Sequence, residues 1–346
     1  MNSRRKRPGQ PAGIHPVLTS HHVQIHKGLP HFPQDRKRIV TTGTFDGVHL
    51  GHRSLLQWMG EEARTQDAET VVLTFHPHPR EVLFGPNSGL QLLQTMGQRL
   101  AHLADTGIDH LVIQPFDRAF SRLRPEEFVR DVLVEGLGTT TIAVGHDHRF
   151  GAGREGDVEL LRNCGETYGF GVVHIPAHIE GELTVSSTKV RQHLADGNLN
   201  GAAALLGRPF SWRGTVVEGA GRGRELGYRT ANLEAVDPLQ ITPPSGVYAA
   251  HMTQRSQPGD PEGHEAVNTW AAMVHIGPRP TFDEEGAAPT IEAHLLDADN
   301  PDLYESVVDL TLVQHLRDVR KFDNADALVG QLEKDEAAAR QALGYA

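Results

Sequence analysis

The chain has 346 residues, a net charge of −11, 38% hydrophobic residues and 22% charged residues, which is typical of a soluble globular protein of about two domains. It contains no run of about 18 apolar residues, which argues against a membrane span, and its acidic character argues against non-specific binding to nucleic acid. Its single cysteine, Cys164, excludes an internal disulfide and a thiolate zinc site and suits the reducing cytoplasm.

Residues 1–36 are predicted to form a weakly ordered extension, because five prolines interrupt them and they show little apolar periodicity. From residue 37 to about 206, short apolar runs alternate with amphipathic stretches. These runs are predicted to be buried strands: Arg38–Thr42, Thr70–Phe75, His110–Gln114, Thr140–Gly145 and Gly171–Pro176.

Two amphipathic stretches between these strands are predicted to be helices. His49–Ala63 places its apolar residues on one helical face, and Pro125–Glu135 does the same with a proline suited to the first turn. Strands that alternate with helices predict an α/β domain with a doubly wound, Rossmann-like parallel sheet over residues 37–206.

The pattern changes near Pro209, so we place a domain boundary at residues 207–211 and a second domain at 207–346. Only Asn324–Leu343 shows a strong helical pattern after this point. A run of strands closed by a helix predicts a small antiparallel β-barrel with a C-terminal helix. The predicted strands are Trp212–Glu218, Gly246–Met252, Thr269–Ile276, Thr290–Leu296 and Val307–Gln314.

The first candidate site follows the first predicted strand, where residues 42–52 read Thr-Gly-Thr-Phe-Asp-Gly-Val-His-Leu-Gly-His. Gly43 and Gly47 allow the backbone to approach a ligand closely. The next helix begins near Leu50, so its free N–H groups and its dipole would face that ligand. His49 and His52 can bind phosphate oxygens and stabilise transition-state charge without a covalent intermediate.

A matching segment precedes the last predicted helix of this domain, where residues 185–191 read Val-Ser-Ser-Thr-Lys-Val-Arg. Ser186 or Ser187 can cap the helix, whose N-terminus can face phosphates. Thr188 adds a hydroxyl, and Arg191 can bind phosphate with two parallel hydrogen bonds. The strand, glycine turn, His-x-Gly-His run and helix resemble the nucleotidyltransferase superfamily.

Further motifs narrow this resemblance. They are Thr-Phe-His-Pro-His-Pro at 74–79, Phe-Asp at 116–117 with Pro-Glu-Glu-Phe at 125–128, and Gly-His-Asp-His-Arg-Phe-Gly at 145–151. Together with the two segments above, they resemble the bacterial bifunctional riboflavin kinase/FAD synthetases over about residues 38–342. The prolines beside His76 and His78 favour a rigid loop over a metal site.

The resemblance implies that the first domain adenylylates FMN to FAD and releases pyrophosphate. It implies catalytic roles for His49 and His52. The sequence departs from the family at position 148, where His148 replaces the usual phenylalanine. The remaining nucleotide-binding residues it implies are Gly43, Phe45, Asp46, Gly47, Gly51, Asp147, Ser187, Thr188 and Arg191.

The second domain resembles the flavokinase module. The characteristic motif of that module, Gly-Phe/Tyr-Pro-Thr-Ala-Asn, appears here as Gly-Tyr-Arg-Thr-Ala-Asn at 227–232. Glu292, in the run Ile-Glu-Ala-His-Leu-Leu-Asp at 291–297, matches the family's catalytic base. Arg229 replaces the usual proline and His275 the usual asparagine. The implied nucleotide-binding residues are Gly221, Gly223, Arg224, Thr230 and Asn232, of which Thr230 and Asn232 offer oxygens to Mg²⁺.

We therefore expect a cytoplasmic enzyme that phosphorylates riboflavin to FMN and adenylylates FMN to FAD. Its partners would be riboflavin, FMN and ATP with Mg²⁺, and neither nucleic acid nor a membrane. Three alternatives stay open: an FAD synthetase whose degraded kinase domain only binds flavin, a flavin-binding regulator without turnover, and an adenylyl transferase for another phosphate.

Overall fold

The structure of the chain, a computed structural model, describes residues 23–145, 148–175, 179–180, 183–219, 228–255, 266–277, 289–297 and 301–345. An α/β unit comes first and a closed β-barrel follows it. Within these ranges, no helix has the length and apolar character needed to cross a membrane.

Six parallel strands form the sheet of the α/β unit in the order β1-β4-β3-β2-β5-β6. They are β1 (Gln24–Lys27), β2 (Lys37–Thr42), β3 (Ala68–His76), β4 (His110–Pro115), β5 (Thr141–Val144) and β6 (Gly171–His174). Ile39 and Val40, adjacent in β2, belong to different apolar clusters because neighbouring strand residues face opposite sides. The strand order reverses between β2 and β5, so the carboxyl ends of these two strands are the expected ligand position. The predicted doubly wound sheet is confirmed.

Helices cover the sheet, and two short strands, β7 (Ile179–Glu180) and β8 (Leu183–Thr184), form an antiparallel pair. The α-helices are α1 (Leu50–Gln66), α2 (Pro79–Phe84), α3 (Met96–Ala104), α4 (Pro125–Glu127), α5 (Val158–Tyr168), α6 (Ser187–Ala195) and α7 (Leu199–Leu206). In the described part of the chain, 3₁₀ turns occupy Gly85–Ser88, Phe120–Arg122 and Ala152–Arg154.

The helix predicted at Pro125–Glu135 differs in type, because the single turn α4 continues directly into a π-helix, Phe128–Gly136. At its end, Leu137 N donates to Val132 O, five residues back. The π-helix still buries Phe128, Val129 and Val132, which is why the apolar pattern could not distinguish it from an α-helix.

The expected extension over residues 1–36 is corrected from residue 23 onward, since β1 lies there as the edge strand of the sheet. Gln24 N donates to Asp109 O at 2.8 Å, and the four residues of β1 pair with β4. Phe32 N also donates to Gly136 O at 3.0 Å. An edge strand pairs on one side only, so its mostly exposed residues carry little apolar pattern. Residues 1–22 lie outside the described residues.

The barrel contains six antiparallel strands that close in the order β10-β13-β12-β11-β14-β9. They are β9 (Ser211–Val217), β10 (Ala231–Ala235), β11 (Gly246–Gln254), β12 (Asn268–Gly277), β13 (Thr290–Leu295) and β14 (Val307–Arg317), and helix α8 (Ala325–Leu343) follows. The predicted barrel and helix are confirmed, and β10 is the strand that the sequence did not predict.

The two units share a buried interface. Leu92 N donates to Leu239 O at 2.7 Å, and Ile241 N donates to Leu92 O at 2.8 Å. In α3, Gln98 Nε2 donates to Asp309 Oδ1 of β14 at 3.1 Å. The apolar cluster inside the barrel also includes Leu93 and residues of α6 and α7. The barrel therefore packs directly against the segment that precedes α3.

Candidate functional site

The loop between β2 and α1 has an unusual backbone. Three of its residues have positive φ angles, namely Phe45 (49°), Gly47 (87°) and Val48 (37°). Such angles are uncommon for residues with a Cβ atom and are concentrated at functional sites. A Cβ atom on Gly47 would lie 2.6 Å from Leu93 Cδ1, so glycine is required there.

The two predicted catalytic histidines lie together at the start of α1. His49 caps the helix, and its Nδ1 accepts a hydrogen bond from His52 N at 3.3 Å. The two rings stack with centroids 3.7 Å apart. Burial, with the neighbouring His49, Arg99 and Arg208, holds the pKa of His52 well below its usual value. His52 is therefore neutral near pH 7, and its buried Nδ1 has no hydrogen-bond partner among the described residues.

Asp46 connects this loop to the second predicted segment. Its carboxylate is buried, accepts from Leu93 N at 3.0 Å and pairs with Arg191. Its carbonyl oxygen accepts from Ser187 Oγ at 2.8 Å. Burial raises the pKa of Asp46, and Arg191 and Arg99 partly offset that rise. These contacts give Asp46 a structural role in joining the two segments.

Helix α6 brings the second segment to the same place. Ser186 caps it by accepting from Lys189 N at 3.4 Å, and Ser187, Thr188 and Arg191 occupy its first turn and a half. The Ser187–Asp46 contact places this N-terminus beside the loop that leads into α1. Two helix N-termini and two imidazoles thus converge at the carboxyl end of β2, an arrangement suited to a polyphosphate.

Two arginines that sequence reasoning missed border this site. Arg99 in α3 is 1% exposed, and its Nε has no hydrogen-bond partner in the described part of the chain. Arg208, between α7 and β9, donates to Gly47 O at 2.6 Å and to Val48 O at 3.1 Å. Neither belongs to a motif, and only the fold brings them to the loop.

Several other predicted residues have defined positions. Gly43 N donates to Leu73 O at 3.0 Å, which joins the loop to β3. His78 caps α2, since its Nδ1 accepts from Arg80 N at 3.1 Å. Gly51 lies in the first turn of α1. Four predicted site residues fall outside the described residues: Asp147, Gly221, Gly223 and Arg224.

The second predicted site lies on three adjacent barrel strands. Glu292 of β13 is the register partner of Asn232 in β10 and of His275 in β12. Thr230 Oγ1 donates to Glu292 Oε2 at 3.3 Å. Burial lowers the pKa of His275, and Glu292 partly offsets that effect. The Thr230 hydroxyl thus contacts the Glu292 carboxylate, and Asn232 lies in register beside Glu292, so the oxygens of these residues suit a hard cation.

Arg229, which replaces the family's proline, has an exposed side chain and an anchored backbone. Its carbonyl oxygen lies 2.7 Å from Nδ1 of His294, which donates to it. The His294 ring also lies 5.0 Å from the ring of Tyr228. These contacts fix the backbone that leads to Thr230, as a proline would do through its ring.

Comparisons with known proteins agree on one family. The FAD synthetase family model matches residues 31–189, and the riboflavin kinase family model matches residues 206–343. A bifunctional riboflavin kinase/FMN adenylyltransferase of Escherichia coli (strain K12) is 39% identical over 88% of this chain and 93% of its own length. A relative of the same name from Pseudomonas fluorescens is 34% identical over 92% of this chain and 97% of its own.

A solved structure from Streptococcus pneumoniae, named a macrolide-efflux protein, has a TM-score of 0.78 and 30% identity over 92% of this chain and 99% of that one. Its name differs from those of the curated relatives, while its fold matches nearly the whole chain. The two family models match the α/β unit and the barrel in turn. With 39% identity over most of its length to a curated relative, the chain belongs to the bifunctional riboflavin kinase/FMN adenylyltransferase family.

Proposed function

We propose that the barrel domain, residues 207–346, phosphorylates riboflavin to FMN, and that the α/β domain, residues 37–206, adenylylates FMN to FAD. The observation that supports the second assignment is the hydrogen bond from Ser187 Oγ to Asp46 O, which joins the N-terminus of α6 to the loop that leads into α1. Riboflavin, FMN and ATP are the substrates in this proposal, and the cytoplasm is the proposed location.

For adenylyl transfer, a phosphate oxygen of FMN attacks the α-phosphorus of ATP. The bond from that phosphorus to the bridging oxygen breaks, and pyrophosphate leaves with the electron pair. His49 and His52 hold the leaving phosphates, and His52 donates from Nδ1, which has no hydrogen-bond partner in the described ranges. Arg191, paired with Asp46 before ATP binds, supplies a cation close to the same position. Gly43, Phe45, Gly47, Gly51 and Thr188 complete the proposed nucleotide site.

For riboflavin phosphorylation, Glu292 accepts the proton of the ribityl 5′-hydroxyl while that oxygen attacks the γ-phosphorus of ATP. The bond from the γ-phosphorus to the bridging oxygen breaks, and ADP leaves with the electron pair. The Thr230 hydroxyl orients Glu292 by donating to Oε2. Thr230 and Asn232 would hold Mg²⁺, which neutralises the phosphate charge when bound. The family resemblance alone supports ligand binding by four further residues. They are Gly221, Gly223 and Arg224 in the barrel domain and Asp147 in the α/β domain.

The rival proposal is an FAD synthetase with an inactive kinase domain, and Arg229 and His275 are the residues that favour it. The anchored Arg229 backbone counts against this rival, because Thr230 reaches Glu292 without the proline. Glu292 is also in register with Asn232, which supports a kinase site with the proposed base beside a proposed metal ligand.

The test is to incubate the purified full chain with riboflavin and Mg-ATP and to separate the flavins over time. We expect FMN first and FAD second, and FAD alone when FMN is supplied. FAD from FMN without any FMN from riboflavin would support the inactive-kinase proposal. Absence of both products would contradict the proposed function.

A further inference from the structure

The linker between the two domains contacts the loop that leads into α1. Arg208 donates from Nη2 to Gly47 O at 2.6 Å and from Nη1 to Val48 O at 3.1 Å. These carbonyl groups belong to the segment with positive φ angles at Gly47 and Val48. A backbone held in such angles persists only where its surroundings fix it, and the guanidinium supplies that constraint.

The guanidinium group of Arg208 is itself held in place by further contacts. Its Nη2 also contacts Gln94 Oε1 at 3.2 Å and His102 Nδ1 at 3.1 Å, and Nη1 donates to Leu206 O at 3.2 Å. Burial and the nearby Arg53 lower the pKa of Arg208 to about 10, so it remains a cation at neutral pH.

The contacts also set the direction of a neighbouring amide. The C=O and N–H groups of a trans peptide point in opposite directions. Since Val48 O points to Arg208, the N–H of His49 points away from it. Next to the linker, a Cβ atom on Gly207 would lie 2.5 Å from Leu50 Cδ2, so the linker packs tightly against the first residue of α1.

We propose that Arg208 is a positioning residue for adenylyl transfer, which fixes the Gly47–Val48 backbone so that His49 and the N-terminus of α1 meet the triphosphate. This inference rests on the proposed function of the α/β domain. Because Arg208 lies between α7 and β9, it makes the geometry of the adenylyl-transfer site depend on the connection to the barrel.

The test compares Arg208→Met and Arg208→Lys with wild type in the full chain, and Arg38→Met is the matched control. Arg38 is 2% exposed in the α/β domain and donates to Pro33 O at 2.7 Å, at the end of β2 opposite the site. The measurements are kcat and KM for ATP in FAD formation, FMN formation from riboflavin, and thermal unfolding.

We expect Arg208→Met to lower kcat for FAD formation on the order of 10²-fold, as misplacement of a catalytic backbone does. Arg208→Lys should lower kcat for FAD formation about tenfold, because an ammonium group lacks the two guanidinium nitrogens that donate to two carbonyl groups. FMN formation should stay within about twofold. Arg38→Met should reduce stability and leave kcat for FAD unchanged.

Wild-type kinetics from Arg208→Met, or an equal loss of FAD formation in Arg38→Met, would overturn the inference. If Arg208→Met does not fold, Arg208→Lys decides, and an unchanged kcat from it would overturn the inference as well. A wild-type chain that makes no FAD would instead contradict the proposed function, so the two failures are distinguishable.

Discussion

Lowering the pH should destabilise the α/β domain through His78. Its Nδ1 accepts the capping hydrogen bond from Arg80 N, and burial with the cations Arg99, Arg191 and Arg80 lowers the pKa of His78 to about 3. Below the unfolded pKa of about 6.5, the unfolded chain binds a proton that the folded chain does not. Stability therefore falls as pH drops from 6.5 toward 3, by ~1.4 kcal/mol per unit, or about 2 kcal/mol between pH 7 and 5.

The assay is urea unfolding of the full chain at pH 7 and pH 5, with His78→Asn beside wild type. Asparagine is a good N-cap and does not titrate, so this variant should match wild type at pH 7 and lose about 2 kcal/mol less at pH 5. His174→Asn, at an exposed position in β6, is the control and should behave as wild type. Equal acid losses in His78→Asn and wild type would refute the reasoning.

Three further predictions concern single residues in the two domains. Gly47→Ala should cost at least ~1 kcal/mol of stability and reduce FAD formation, because its φ is 87° and the new Cβ would meet Leu93; unfolding and product analysis measure this. Asp335→Ala should destabilise the barrel by about 3–5 kcal/mol, since it leaves the mostly buried Arg317 guanidinium without its buried partner; urea unfolding measures this. Arg229→Pro should change riboflavin phosphorylation by less than about tenfold, because the Arg229 carbonyl is already anchored; FMN from this variant but none from wild type would favour the inactive-kinase proposal.

Local pattern predicted the central strands and the barrel because their residues are buried on one or both faces. It missed β1 and β10, which are only four and five residues long, so pairing with a neighbouring strand determines them. The π-helix was also missed, since its buried positions resemble those of an α-helix.

The candidate sites also contain some residues that the sequence predicted and others that it missed. Motifs predicted His49, Ser187 and Glu292 because these residues lie in segments of recognisable chemistry. Arg99 and Arg208 were missed because each lies far along the chain from the loop that it borders. Nucleotide binding by Asp46 stays a prediction, and its observed contacts join the two segments of the site. Its burial depends on Leu93 and Arg191, which sequence spacing does not bring together.

The account's central claim is that two separate sites, one in each domain, catalyse the two steps. The most direct test measures both steps in His52→Ala and Glu292→Gln, each in the full chain. His52→Ala should lose FAD formation by about 10²–10³-fold and keep FMN formation. Glu292→Gln should lose FMN formation by about 10²–10⁴-fold and keep FAD formation from supplied FMN. Loss of both activities in either variant, or wild-type FAD formation by His52→Ala, would contradict the claim.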